Sequence, residues 1–229
     1  MKDKHGNLFF ALIKLGQKAR MEQFRKGQLY MNTLSYFRDL EADPARADRL
    51  EGISHIFQPR DLRMSFEAPG FGRFDVAPEE LAGPVTLAMN ETYRSNVFCL
   101  TSISDPLSGE IFPSKYEWFG DSLVLILNTG DFIRRVVEAA KLQGFAIWWQ
   151  RVTYYDDETY TGQLGRFSKA ARYSYQKEFR FVIQTDGTKP VTLDVGDISD
   201  ITSEVIPFED ASKYLKFTEA DAREAELTW

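Results

Sequence analysis

Lys169–Ile183, KAARYSYQKEFRFVI, constrains this chain more than any other segment, because one glutamate, Glu178, opens an aromatic and aliphatic run. Read as a strand, the run alternates: Phe179, Phe181 and Ile183 take one face, and Glu178, Arg180 and Val182 the other. A carboxylate in such a run is unfavourable unless it is paired or used. The segment predicts a strand with Glu178 and Arg180 on one face, lining a cleft. The alternative is an ordinary pair of Glu178 with Arg180 or Lys177 on a solvated strand face.

A chain of 229 residues can bury one substantial core, so one domain is expected over 1–229, with a helical, acidic C-terminal segment from about Phe208. Its 14% aromatic content is that of a folded protein with surfaces left for stacking. The net charge of -6 argues against general nucleic-acid binding, which needs clustered cations. Arg166, Lys169, Arg172, Lys177 and Arg180 are nevertheless grouped, and an acidic protein with one basic cleft suits a small phosphate-bearing ligand.

Cys99, with no second cysteine, excludes an internal disulfide and is expected to be a buried thiol in a cytoplasmic protein. His5 and His55 are too few and too far apart for a zinc pattern or a hydrolytic triad, so no resident metal is expected. No apolar run approaches the roughly 20 residues of a membrane span, and the start MKDKHGN does not resemble a secretory signal.

Along the chain, Leu8–Leu15 reads as a buried strand interrupted by Lys14, Gln17–Lys26 as a helix closed by Gly27, and Gln28–Thr33 as a second strand. Pro44 argues against one long helix in the charged Leu34–Gly52 block. Ile53–Glu67 and Phe71–Val76 read as strands joined by APGFG, and Asn96–Ser102 and Ser122–Leu127 as core strands. Asp131 is placed to cap a helix over Phe132–Lys141 with a buried stripe of Phe132, Val136, Ala139 and Ala140. Ile147–Tyr155, Val191–Val195 and Ile198–Ile206 read as further strands, and Phe208–Glu226 as helix. Many strands and few helices predict an α+β protein with mixed, mainly antiparallel sheets.

The order LFFALIKLGQKARMEQFRKGQLYMNT, a charged RDLE and RADRLEG block, FCLTS, KYEWFGD and YSYQKEFRF resembles a family of uncharacterised bacterial and phage-borne domains. In architecture it also resembles the ADP-ribosyltransferase fold. That resemblance implies an enzyme with NAD as substrate, a toxin or phage-defence component modifying a nucleic acid or protein, with an antitoxin or chaperone as partner. It places the first-strand residue near the nicotinamide ribose at Lys14, where the family carries His or Arg. It puts the aromatic residue beside nicotinamide at Tyr30 or Tyr36, and the catalytic glutamate at Glu178.

The chemistry accounts for these residue types. Cleavage of the nicotinamide–ribose bond develops oxocarbenium character, which a carboxylate stabilises. Tyrosine stacks on the ring, and arginine holds pyrophosphate with two hydrogen bonds, for which Arg38, Arg49 and Arg180 are candidates. Ser102 either contacts the dinucleotide or begins a turn. A lysine snorkelling from a strand edge and tyrosines in the core are the plainer readings of Lys14, Tyr30 and Tyr36. Trp118, Trp148 and Trp149 are expected to pack.

Two other classes stay open. One is a non-catalytic module that uses the same cleft to sense a nucleotide or engage a partner. The other is a metal-dependent nuclease built on Asp39, Glu41, Asp48 and Glu51, although that block lacks calcium-loop spacing. Ion pairing within the block, or with the Arg166–Arg180 stretch, is the expected role of Asp48 and Glu51.

Overall fold

The computed structural model describes residues 11–40, 48–89, 94–103 and 112–214. Fifteen strands occur in them: β1 Ala11–Gly16, β2 Gln28–Thr33, β3 His55–Phe57, β4 Met64–Ala68, β5 Gly72–Val76, β6 Val85–Leu87, β7 Ser95–Ile103 and β8 Ser122–Ile126. The rest are β9 Ile147–Arg151, β10 Thr153–Tyr155, β11 Gly162–Gln163, β12 Ser168–Ala170, β13 Glu178–Gln184, β14 Val191–Asp194 and β15 Ile206–Pro207. The helices are α1 Lys18–Arg25, α2 Leu34–Asp39, α3 Thr129–Leu142 and α4 Ala211–Tyr214. The architecture is α+β with mainly antiparallel pairing. Among the described residues no helix is long and apolar enough to cross a membrane.

The main sheet runs β14-β2-β7-β1-β8-β15, and β13 joins β7 to β9. Strand β7 organises it. One edge of β7 pairs with β13 along its length, from Glu178↔Thr101 to Gln184↔Ser95. The other edge is shared: β2 takes Asn96 and Val97, while β1 takes Thr101 to Ile103. Phe98 to Leu100 therefore border a gap where β1 and β2 part.

Alternation on β7 and β13 separates two environments. Phe98, Leu100, Phe179, Phe181 and Ile183 join the main core, into which α1 sends Met21 and Phe24 and α3 sends Phe132, Ile133, Val136, Ala139 and Ala140. Phe24 stacks on Phe98 at 5.7 Å, and Phe132 meets Phe181 edge-on at 5.8 Å. On the opposite face Val97 and Val182 pack with Leu34, and Glu178 and Arg180 enter a polar cluster.

Helix termini follow local chemistry. Lys18 N–H donates to the Asp121 carboxylate at 2.9 Å, so a residue remote in sequence satisfies the start of α1. Gly27, at φ 89, closes the turn into β2. The cap of α3 is Asn128, not Asp131: the Asn128 side chain accepts from Asp131 N–H at 3.0 Å, and the helix starts at Thr129. Within the charged block, Thr33 caps the short α2 by accepting from Tyr36 N–H at 3.1 Å.

Four expected strands differ. Lys169–Ile183 is not continuous: β12 ends at Ala170, a 3-10 turn covers Ala171–Gln176, and Lys177 takes the left-handed conformation at φ 44 before β13 begins. Pro59 opens a 3-10 turn that divides Ile53–Glu67 into β3 and β4. Ile147–Tyr155 changes partners at Val152: β9 pairs with β13, and β10 leaves to pair in parallel with β12. Ile198–Ile206 is mainly loop, because the Asp197 carboxylate accepts from Ser199 N–H and turns the chain, leaving one bridge at Thr202 and the short β15. Leu8–Phe10 and 215–226 lie outside the described residues, so the expected C-terminal helix is seen only as a 3-10 turn at Phe208–Asp210 followed by α4.

Candidate functional site

The parting of β1 and β2 creates a cavity of about 620 Å³. Its floor is the bare stretch of β7, with the residues from Val97 to Thr101 all lining it. Alternation along β2 aims Gln28, Tyr30 and Asn32 into it while Leu29, Met31 and Thr33 are buried. Gln17, which precedes α1, and Arg20 and Gln23, three apart on the helix, line it too, and β13 contributes Glu178 and Arg180.

Lys14 reaches across the gap. Its ammonium donates to the Cys99 carbonyl at 2.7 Å and lies 4.3 Å from the centre of the Phe98 ring. The lysine thus satisfies a backbone carbonyl that no neighbouring strand takes.

Behind this floor is a buried charge cluster. Arg180, 1% exposed, makes two hydrogen bonds of 2.7 Å to the Glu51 carboxylate, a further one to Glu178 through Nε, and one of 2.8 Å to the Arg166 carbonyl. Lys169, 6% exposed, donates to Glu178 Oε2 at 3.0 Å and to Gln176 Oε1 at 2.8 Å. Glu178, 4% exposed, has its backbone N–H held by the Tyr154 hydroxyl at 2.9 Å. Two carboxylates and two cations balance, as burial requires.

The titration behaviour follows from this packing. Burial acts to raise the Glu178 pKa, but Arg180 and Lys169 outweigh it and hold the carboxyl well below the ordinary carboxylate range. Burial raises the Lys169 proton's lability, and the facing Glu178 more than compensates, so the ammonium is retained. The Cys99 thiol is pushed up to about 12 by burial and by the Glu178 charge beside it, so it is no nucleophile at neutral pH. Asp48 is buried with one oxygen lacking a hydrogen-bond partner, and burial together with Glu51 raises its pKa.

Of the residues singled out in the sequence, Lys14, Tyr30, Tyr36, Glu178 and Arg180 line this one cavity. The tyrosines are not core residues: Tyr30 is 54% and Tyr36 43% exposed. Glu178 is not on a solvated face; its partners are Arg180 and Lys169, in the interior. Arg38, Arg49 and Ser102 are not among the lining residues. Arg38 pairs with Asp39, Arg49 is exposed elsewhere, and the Ser102 hydroxyl donates to the Lys177 carbonyl at 2.7 Å. Trp118, Trp148 and Trp149 are exposed rather than packed, with Trp148 under the Arg166 guanidinium at 4.9 Å.

Asp39 lies on the surface, whereas Asp48 and Glu51 are buried; Glu41 is outside the described residues. Among the described residues no group of three His, Cys, Asp or Glu is placed to hold a metal ion. The expected pairing of Glu51 with the Arg166–Arg180 stretch is met by Arg180, while sequence reading missed Lys169 as the partner of Glu178, and Arg20. A glutamate beside a glycine and an isoleucine in RLEGI was the available sign that Glu51 turns inward. Comparison with models of protein families, with curated proteins and with solved structures gave no match.

Proposed function

We propose that this chain has an ADP-ribosyltransferase-like fold and acts as an ADP-ribosyltransferase that takes NAD as substrate. One observation carries the reading: Glu178, Lys14, Tyr30 and Tyr36, drawn from three strands and a helix, meet in the single cavity opened by the parting of β1 and β2. A half-exposed tyrosine offers the nicotinamide ring a stacking face, and the cavity is of a size that small-ligand sites adopt. The Glu178 carboxylate, which Arg180 and Lys169 favour in its ionised form, faces the developing positive charge as the ribose–nicotinamide bond breaks. The bonding pair leaves on the nicotinamide nitrogen, and a nucleophile of the acceptor, a nucleic acid or protein, attacks the vacated ribose carbon.

A second reading has its own observation. Both Glu178 oxygens already accept hydrogen bonds from cations, which reduces the negative field the carboxylate can present to a ligand. That favours a module that binds a nucleotide without cleaving it. Incubation with labelled NAD and cell extract separates the two, scored for released nicotinamide and for label on macromolecules. Release that depends on Glu178 supports the transferase; binding of NAD without release supports the module; neither binding nor release overturns both.

A further inference from the structure

The lining of the cavity is unequal in charge. Among the described residues it carries four cations, Lys14, Arg20, Lys169 and Arg180, against two carboxylates, Glu51 and Glu178. Those carboxylates are taken up by Arg180 and Lys169 in the buried cluster. Arg180, an obvious choice to clamp a phosphate, has its guanidinium filled by Glu51, Glu178 and the Arg166 carbonyl. The excess positive charge therefore resides in Lys14 and Arg20. Lys14 already donates to the Cys99 carbonyl.

Arg20 differs from the other three. It is exposed at the mouth, and among the described residues it makes no ion pair. Gln17, the residue that precedes α1, and Gln23, one turn further along the helix, line the cavity with it, so two amide side chains belong to the same rim. From β2 the exposed Tyr30 lines the same cavity. A guanidinium with amides on its rim and an aromatic residue in the same cavity is complementary to a ligand with phosphate at one end and a ring at the other.

We propose that Arg20 is the anion-binding residue of this cavity and that the cavity takes a nucleotide bearing a diphosphate, its phosphates at the α1 rim and its ring against Tyr30. The proposal rests on the reading of the cavity as a nucleotide site, and it holds whether or not the bound nucleotide is cleaved.

The test is calorimetric titration of the full chain and its Arg20→Ala and Arg20→Lys variants with ADP, AMP and adenosine at two salt concentrations. ADP is expected to bind more tightly than adenosine. Arg20→Ala should weaken ADP by roughly ten- to a hundredfold, the range of a hydrogen bond to a charged group, and leave adenosine unchanged. It should also flatten the salt dependence, and Arg20→Lys should restore part of the affinity. Because Arg20 is exposed, the melting temperature of Arg20→Ala should match that of the parent, which sets recognition apart from a structural role. Equal affinity of parent and Arg20→Ala for ADP overturns the proposal, as does a parent that binds neither ADP nor adenosine. A parent that binds ADP through Arg20 but releases no nicotinamide from NAD leaves this inference standing and removes the transferase.

Discussion

Arg180 grips Glu51 through two hydrogen bonds of 2.7 Å each, although 129 residues separate the two in sequence. The contact ties the turn at the end of the charged block to the central strand β13, directly behind the cavity floor. Arg180 is thereby fixed, and with it the Glu178 carboxylate that it also contacts.

Removing one member of a buried pair leaves the other charge uncompensated, which costs about 3–5 kcal/mol. Glu51→Ala should therefore destabilise the protein by roughly that amount. Urea unfolding of parent and variant measures it. A loss under about 1 kcal/mol, the value of an exposed pair, would show that water reaches Arg180.

Glu178 raises the harder question of separating chemistry from stability. Glu178→Gln strands the Lys169 ammonium in the interior, so the variant should lose stability by a few kcal/mol as well as any NAD cleavage. Adding Lys169→Met removes the orphaned charge and should recover part of the stability. Nicotinamide release should stay absent from the double variant, since the carboxylate is still missing. Recovery of release along with stability would mean that Glu178 acts only by holding the fold.

The strand β13 was legible because its alternation is written in side-chain type: three apolar residues on one face, a glutamate and an arginine on the other. The helix α3 stripe was legible for the same reason at helical spacing. What pairs with Glu178 was not. Lys169 is nine residues earlier and reaches it only because the chain makes a 3-10 turn and then reverses through Lys177 in a left-handed conformation, for which lysine gives no sign. Nor does any local pattern tell that β1 and β2 divide one edge of β7 between them. That division, which makes the cavity, is a product of tertiary pairing.

Two glycines in the left-handed region should respond very differently to alanine. Gly70, at φ 81 in the β4–β5 turn, has open space where a Cβ would go, so Gly70→Ala should cost about 1–2 kcal/mol from backbone strain alone. A Cβ on Gly27, at φ 89, would stand 2.0 Å from the Gly196 carbonyl oxygen, a backbone atom that cannot swing aside. Gly27→Ala should therefore cost several times as much, or prevent folding, by prying the α1–β2 turn from the loop after β14. Denaturant melts of both variants decide it, and similar losses at the two sites would refute the close approach.

Asp48 should set the opposite pH dependence to Glu178. In the unfolded chain an aspartate titrates near about 3.9. In the fold its pKa is raised by burial and by Glu51, against weaker help from Lys169 and Arg172. A raised folded value means that the native state holds the proton more firmly. The resulting stabilisation is fully present below the unfolded value and is lost as pH rises through the folded one. Asp48→Asn keeps an acceptor for the Leu50 N–H, which now donates to Asp48 Oδ1 at 3.0 Å, but carries no charge. The stability of the variant relative to the parent should climb as pH increases from about 4 toward neutrality, because only the parent must then bury an ionised Asp48. Glu178, whose carboxyl the fold holds below its ordinary value, instead adds stability as pH rises through its unfolded value of about 4.3, and because parent and variant share it this contribution cancels in their difference. Urea unfolding of both proteins at three pH values across that window gives the answer: a flat difference would show that Asp48 titrates alike in the folded and unfolded chain, a falling one that the fold holds it ionised, and either would refute the raised value.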